Sequence, residues 1–154
     1  MSTPPAPLDS QLRFSRCHNV LVLRWPDQAG VGDVQRAQSE LRAVGRAHRA
    51  VALLSMIAPG TRFSAVDEPT RREAQRMMAL PDVPLVGSAV VFGGDGFGAA
   101  ILRGVVSGIS LVAGSEKPIR VFASASEAEP WLASILGAHA MHRAGELARV
   151  AAAL

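Results

Sequence analysis

The sequence predicts an α/β domain. It opens with a β-hairpin, alternates helices and strands around a mixed, mostly parallel sheet flanked by helices, and ends in an extra C-terminal helix. Three observations predict it. Short apolar runs of strand length recur at Val20–Leu23, Ala50–Ile57, Leu85–Phe92 and Ile119–Phe122. The segments between the first three runs repeat apolar residues every three or four positions, the period of a helix. Residues 85–122 read as strand, glycine loop, apolar helix and strand, and a strand that returns directly after a helix pairs in parallel.

The elements follow in order. Residues 1–10, with Pro4, Pro5 and Pro7, read as a disordered tail. From Leu12, apolar and polar residues alternate to Cys17, and His18-Asn19 suits a two-residue turn because Asn tolerates positive φ. Val20-Leu21-Val22-Leu23 is unbroken and apolar, so this strand is expected to be buried on both faces. Trp25-Pro26-Asp27 ends it.

Asp33 is placed to cap the next helix, whose inner face is Val34, Ala37, Leu41, Val44 and His48. After the strand Ala50–Ile57, residues 58–66 form a long loop. Asp67 caps a second helix with Pro69 in its first turn, and Ala74, Met77 and Met78 face inward. Ser124 and Ser126 each precede a glutamate by three residues (Glu127, Glu129), two overlapping capping boxes. Trp131, Leu132, Ile135 and Leu136 form the packing face of the helix they open. Residues 138–154 are alanine-rich and expected to be one helix.

Bulk properties exclude several classes. The 154 residues make one domain with room for a core. With 49% apolar and 19% charged residues, the chain is globular and not disordered. Aromatics are 5% and tyrosine is absent, so platforms for base stacking are scarce and nucleic acid is not an expected partner. The run 99–113 is apolar but short of the roughly 20 residues a bilayer span needs, and it contains Arg103. Cys17 is the sole cysteine, which fits a reducing compartment, and the N-terminus lacks a signal-peptide pattern. A cytoplasmic protein without membrane insertion is expected.

The order of these elements resembles the STAS-type domains, the group of bacterial anti-sigma-factor antagonists, and the related SEC14-like lipid-carrier fold. The resemblance covers residues 11–137. It is carried by the hairpin from Leu12 to Trp25, the helix from Asp33, the strands Val51–Ile57 and Leu85–Phe92, and Ile119-Arg120-Val121-Phe122 leading into Ser126-Glu127-Ala128 and Trp131-Leu132. Residues 138–154 lie beyond it as a helical extension. The resemblance implies a non-catalytic regulatory or scaffolding module that docks a partner protein. Family members are switched by phosphorylation of a serine just after the strand equivalent to Val51–Ile57, in an Asp-Ser-Gly type turn. This chain has Ala58-Pro59-Gly60-Thr61-Arg62-Phe63-Ser64 there, with Thr61 and Ser64 the nearest hydroxyls. The docking surface implied is Thr61, Phe63 and Ser64 with Arg71 and Arg72 of the following helix. A small-molecule or lipid-like ligand is the alternative.

Two further features carry weaker expectations. Gly94, Asp95 and Gly96 lie in a loop between strand and helix that can offer backbone N–H groups to an anion, although Asp95 opposes one and a plain turn explains the loop as well. The helix after it has few polar side chains, Arg103, Ser107 and Ser110, beside Gly104 and Gly108. Its apolar surface must be covered by the C-terminal helix or by a second copy of the chain, through a seam of Arg103, Gly104, Ser107, Gly108 and Leu111. No catalytic group, cofactor or metal is expected. Cys17 and His18 should point to opposite faces of a strand, and His139, His142 and Glu146 on one helix are too spread to close on an ion.

Overall fold

The computed structural model describes residues 11–57, 66–92 and 117–154. Its described strands are β1 (Arg13–Cys17), β2 (Val20–Arg24), β3 (Val51–Ile57), β4 (Leu85–Phe92) and β5 (Ile119–Phe122). They form one sheet in chain order, β1-β2-β3-β4-β5. β1 and β2 pair antiparallel, and the remaining pairs are parallel. The fold is therefore α/β, with an opening hairpin and a mixed sheet.

Helices α1 (Val31–Ala47) and α2 (Glu68–Met78) connect β2 to β3 and β3 to β4. Both crossovers advance the sheet by one strand in the same direction, and the two helices pack on each other. Val34, Ala37, Leu41, Val44, Met77 and Met78 meet Leu21, Leu23, Val51 and Leu53 on that face. Helices α3 (Ala125–Leu136) and α4 (Glu146–Ala153) cover the other face. There Ala128, Leu132, Leu136, Leu147 and Ala151 meet Val20, Val22, Ala52 and Leu54. Val20 to Leu23 are fully buried because consecutive residues of a strand face opposite helix layers.

Local sequence sets the helix ends. Asp67 accepts the Thr70 N–H at 2.9 Å, the expected cap, with Pro69 in the first turn where a missing N–H costs little. Ser124 caps α3 by accepting the Glu127 N–H, and the Glu127 carboxylate returns to the Ala123 N–H. Ser124 is thus the cap used, with Glu127 reaching the residue before it, which leaves Glu129 for another partner. Asp33 departs from expectation. It lies at the third position of α1 behind Gly30, and its carboxylate accepts N–H groups from Gly30 (3.0 Å) and Leu12 (3.3 Å). It therefore ties the helix start to the residue preceding β1.

A register shift opposite Val51 and Ala52 sits beside Gly87. A Cβ there would stand 2.7 Å from Ile135 Cδ1 and 3.0 Å from the Pro118 carbonyl oxygen, so glycine permits the close approach of α3 and the β5 entry.

The C-terminal extension differs from the single helix expected. A 3₁₀ turn at Gly137–His139 and an irregular stretch precede α4. Gly137 (φ 57°) and Gly145 (φ 82°) adopt left-handed backbone, which overrides the helical propensity of the alanines. His139, His142 and Glu146 consequently do not share a helix face. His48 is also not on the inner face of α1; it terminates the helix with extended backbone. The expected tail 1–10 lies outside the described residues. So do the hydroxyl-bearing loop with Thr61, Phe63 and Ser64, the turn with Gly94, Asp95 and Gly96, and the seam with Arg103, Gly104, Ser107, Gly108 and Leu111. Among the described residues, no helix is long and apolar enough to cross a membrane.

Candidate functional site

The densest grouping of reactive side chains sits at the hairpin tip, at the end of the sheet where the parallel strands begin. β1 ends at Cys17, which pairs with Val20 across the turn. His18 takes a positive φ of 55°, a conformation uncommon outside glycine but enriched for His, Asn and Asp. That conformation falls on His18, not on Asn19. It removes His18 from the strand alternation. Cys17 Sγ, a His18 ring nitrogen and a Glu146 carboxylate oxygen all lie within 4.8 Å of one another. The expectation that Cys17 and His18 point apart is thereby corrected, and His18 has a partner.

His18 Nε2 and Glu146 Oε1 are 2.9 Å apart. An ionised carboxylate only accepts, so the imidazole nitrogen is the donor. The same oxygen accepts the Arg143 N–H at 3.1 Å. The Arg143 N–H holds the Glu146 carboxyl below the usual carboxylate range; partial desolvation opposes this, and the His18 hydrogen bond and charge reinforce it.

Three buried side chains complete the arrangement. Cys17 is 3% exposed. Burial pushes its thiol up to about 11, with the negative charges of Glu146 and Glu129 adding to the effect and Arg149 opposing it. A thiol shifted in that direction is not a primed nucleophile. Asn19 is 2% exposed, and its Nδ2 donates to the carbonyls of Ala50 (2.9 Å) and His139 (2.8 Å), stitching the turn to the β3 start and the 3₁₀ turn. Glu129 is 8% exposed, and its Oε1 accepts the Gly145 N–H at 2.6 Å. Asn19 Oδ1, Glu129 Oε2 and both ring nitrogens of His142 are buried without a hydrogen-bond partner. Orphaned atoms of this kind are few in native proteins.

The sequence carried faint signals for this site. A Cys-His-Asn run falls at a hairpin tip, and Glu129 occupies a capping-box position that the helix does not use. Sequence separation hid the rest, because Glu146 is 128 residues from His18.

Of the docking residues, Arg71 and Arg72 are exposed near the start of α2, whose buried residues are Thr70, Met77 and Met78. Arg72 pairs with Glu68 at 2.7 Å, and Arg76 pairs with Glu73 at 2.8 Å. Among the described residues Arg71 has no carboxylate partner. The hairpin-tip cluster and this helix face are separate; no described contact brings them together.

Searches against protein-family models, curated proteins and solved structures find no match to this chain.

Proposed function

We propose that this chain is a non-catalytic regulatory or scaffolding module of STAS-like type, acting in the cytoplasm, that docks a partner protein through the outer face of α2 and the loop before it. The observation that carries the reading is Arg71. It is an exposed residue with no carboxylate partner among the described residues, next to exposed Arg72, in a helix that buries Thr70, Met77 and Met78 in the core. An arginine on a helix, with no carboxylate partner among the described residues, suits an acidic segment of a partner, since the guanidinium fork matches a carboxylate in two hydrogen bonds. The opening hairpin, the in-order sheet and α2 following β3 support the STAS-like part of the reading. Self-association belongs to the same proposal, with a second copy as one partner.

Affinity capture with the full chain as bait tests it. Wild type should retain a partner that Arg71→Glu and Phe63→Ala release, with circular dichroism unchanged. Arginine anchors at interfaces are typically worth about 2 kcal/mol or more, so Arg71→Glu should weaken the complex about 30-fold. An identical set of retained proteins for wild type and both variants contradicts the reading. Light scattering reads self-association directly.

A further inference from the structure

We propose that Cys17, His18 and Glu146 bind one soft-to-borderline divalent cation of the zinc class, with Glu129 as the supporting carboxylate behind them. The three donors come from the two ends of the described chain and converge within 4.8 Å. Tetrahedral zinc with nitrogen, oxygen and sulfur ligands needs donor separations of about 3.3–3.6 Å, so shifts of about 1.5 Å at most bring the donors to that spacing, the 2.9 Å His18–Glu146 pair opening slightly as the wider ones close. Thiolate with imidazole and a single carboxylate selects zinc-like ions over calcium or magnesium, which take oxygen ligands. Three protein donors leave the fourth position to water.

The surroundings fit a cation. Glu146 and Glu129 both lie near enough for their charge to act on the thiol, and Arg149 is the opposing positive charge. Glu129 is nine-tenths buried and keeps Oε2 without a partner. Buried carboxylate oxygens are costly unless they meet a donor or a cation. His18 and Glu146 remain part-exposed, 39% and 26% at their side chains, which gives an ion a path in. Non-glycine residues in left-handed backbone gather at functional sites, and His18 is the only such residue among those described. On binding, the Cys17 thiol releases its proton to solvent as sulfur bonds the metal, and no oxidation occurs.

The test uses the full chain, reduced and stripped of metal with a chelator, titrated with Co²⁺ and then Zn²⁺. The wild type should take up one Co²⁺ per chain with a thiolate-to-cobalt charge-transfer band in the near ultraviolet, and one equivalent of Zn²⁺ should displace it. Cys17→Ser should abolish the band. His18→Ala and Glu146→Gln should each weaken Zn²⁺ binding at least about tenfold, Glu129→Gln should weaken it about 10- to 100-fold, and His48→Ala should leave it unchanged. His18 lies on an exposed turn, so its variant keeps the test valid even where Cys17→Ser perturbs folding, which circular dichroism reports. Absence of Co²⁺ uptake, uptake without the charge-transfer band, or wild-type affinity in folded His18→Ala and Glu146→Gln overturns the proposal.

Discussion

His18 at the tip of the opening hairpin and Glu146 at the first position of α4 meet at 2.9 Å across 128 residues of chain. The contact joins the first strand pair to the last helix, and the Arg13 side chain repeats the link by donating to the Leu154 carbonyl at 3.0 Å. The polar contacts orient α4, and its hold on the sheet comes from Leu147 and Ala151, which are buried against Cys17, Val20 and Val22. Leu147→Ala should therefore cost about 2–5 kcal/mol in urea unfolding, by lost transfer energy and a residual cavity. His18→Ala should cost far less, because part-exposed ion pairs contribute little. Equal losses for the two variants would show that the polar contact, not the apolar one, anchors the helix.

Asp33 should give the fold an acid-sensitive limb. Burial alone would raise its pKa, but the Gly30 N–H, the Arg36 guanidinium and the Leu12 N–H outweigh it and hold the carboxyl below its ordinary value of 3.8. A group whose pKa is depressed on folding contributes stability above its unfolded value and loses it as pH falls through the folded one. Denaturation midpoints should thus drop below about pH 4, and Asp33→Asn should be less stable at pH 7 yet flatter across that range. Parallel pH curves for the two proteins would contradict this role.

Gly87→Ala should destabilise by about 1–3 kcal/mol, since the new methyl meets the Pro118 carbonyl and Ile135 inside a packed face. Thermal unfolding monitors it. Pairing the change with Ile135→Val should recover part of the loss, because Ile135 Cδ1 is the nearest atom while the Pro118 backbone cannot withdraw. A Gly87→Ala protein as stable as wild type would show that α3 and the β5 entry stand farther from β4 than described.

Ser124→Ala should cost about 1 kcal/mol and Ser126→Ala much less. Both serines precede a glutamate by three residues, but Ser124 alone accepts the N–H that opens α3. Chemical denaturation of the two variants reads the difference. A larger loss at Ser126 would move the start of the helix.

What was legible in the sequence follows from period and burial. Val20–Leu23 announced a strand between two helix layers because every one of its residues is apolar. Asp67 and Pro69 announced α2 because capping chemistry is local. The C-terminal segment was not legible from alanine content, since Gly137 and Gly145 take left-handed backbone that breaks the helix. The hairpin-tip cluster was hidden for two reasons. A positive φ at His18 breaks the rule that neighbours in a strand diverge, and Glu146 arrives from the far end of the chain. Arg72 was legible as an outward residue of α2, since Ala74, Met77 and Met78 define the inward face, whereas Arg71 shares Met78's side of the helix by spacing and is exposed nonetheless.

The most direct measurement is quantitative capture of partners by the full chain in three forms: wild type, Arg71→Glu, and Arg120→Glu on the edge strand β5. Docking through α2 predicts that wild type and Arg120→Glu retain the same partner while Arg71→Glu loses it about 30-fold. Equal retention by all three forms would contradict the account.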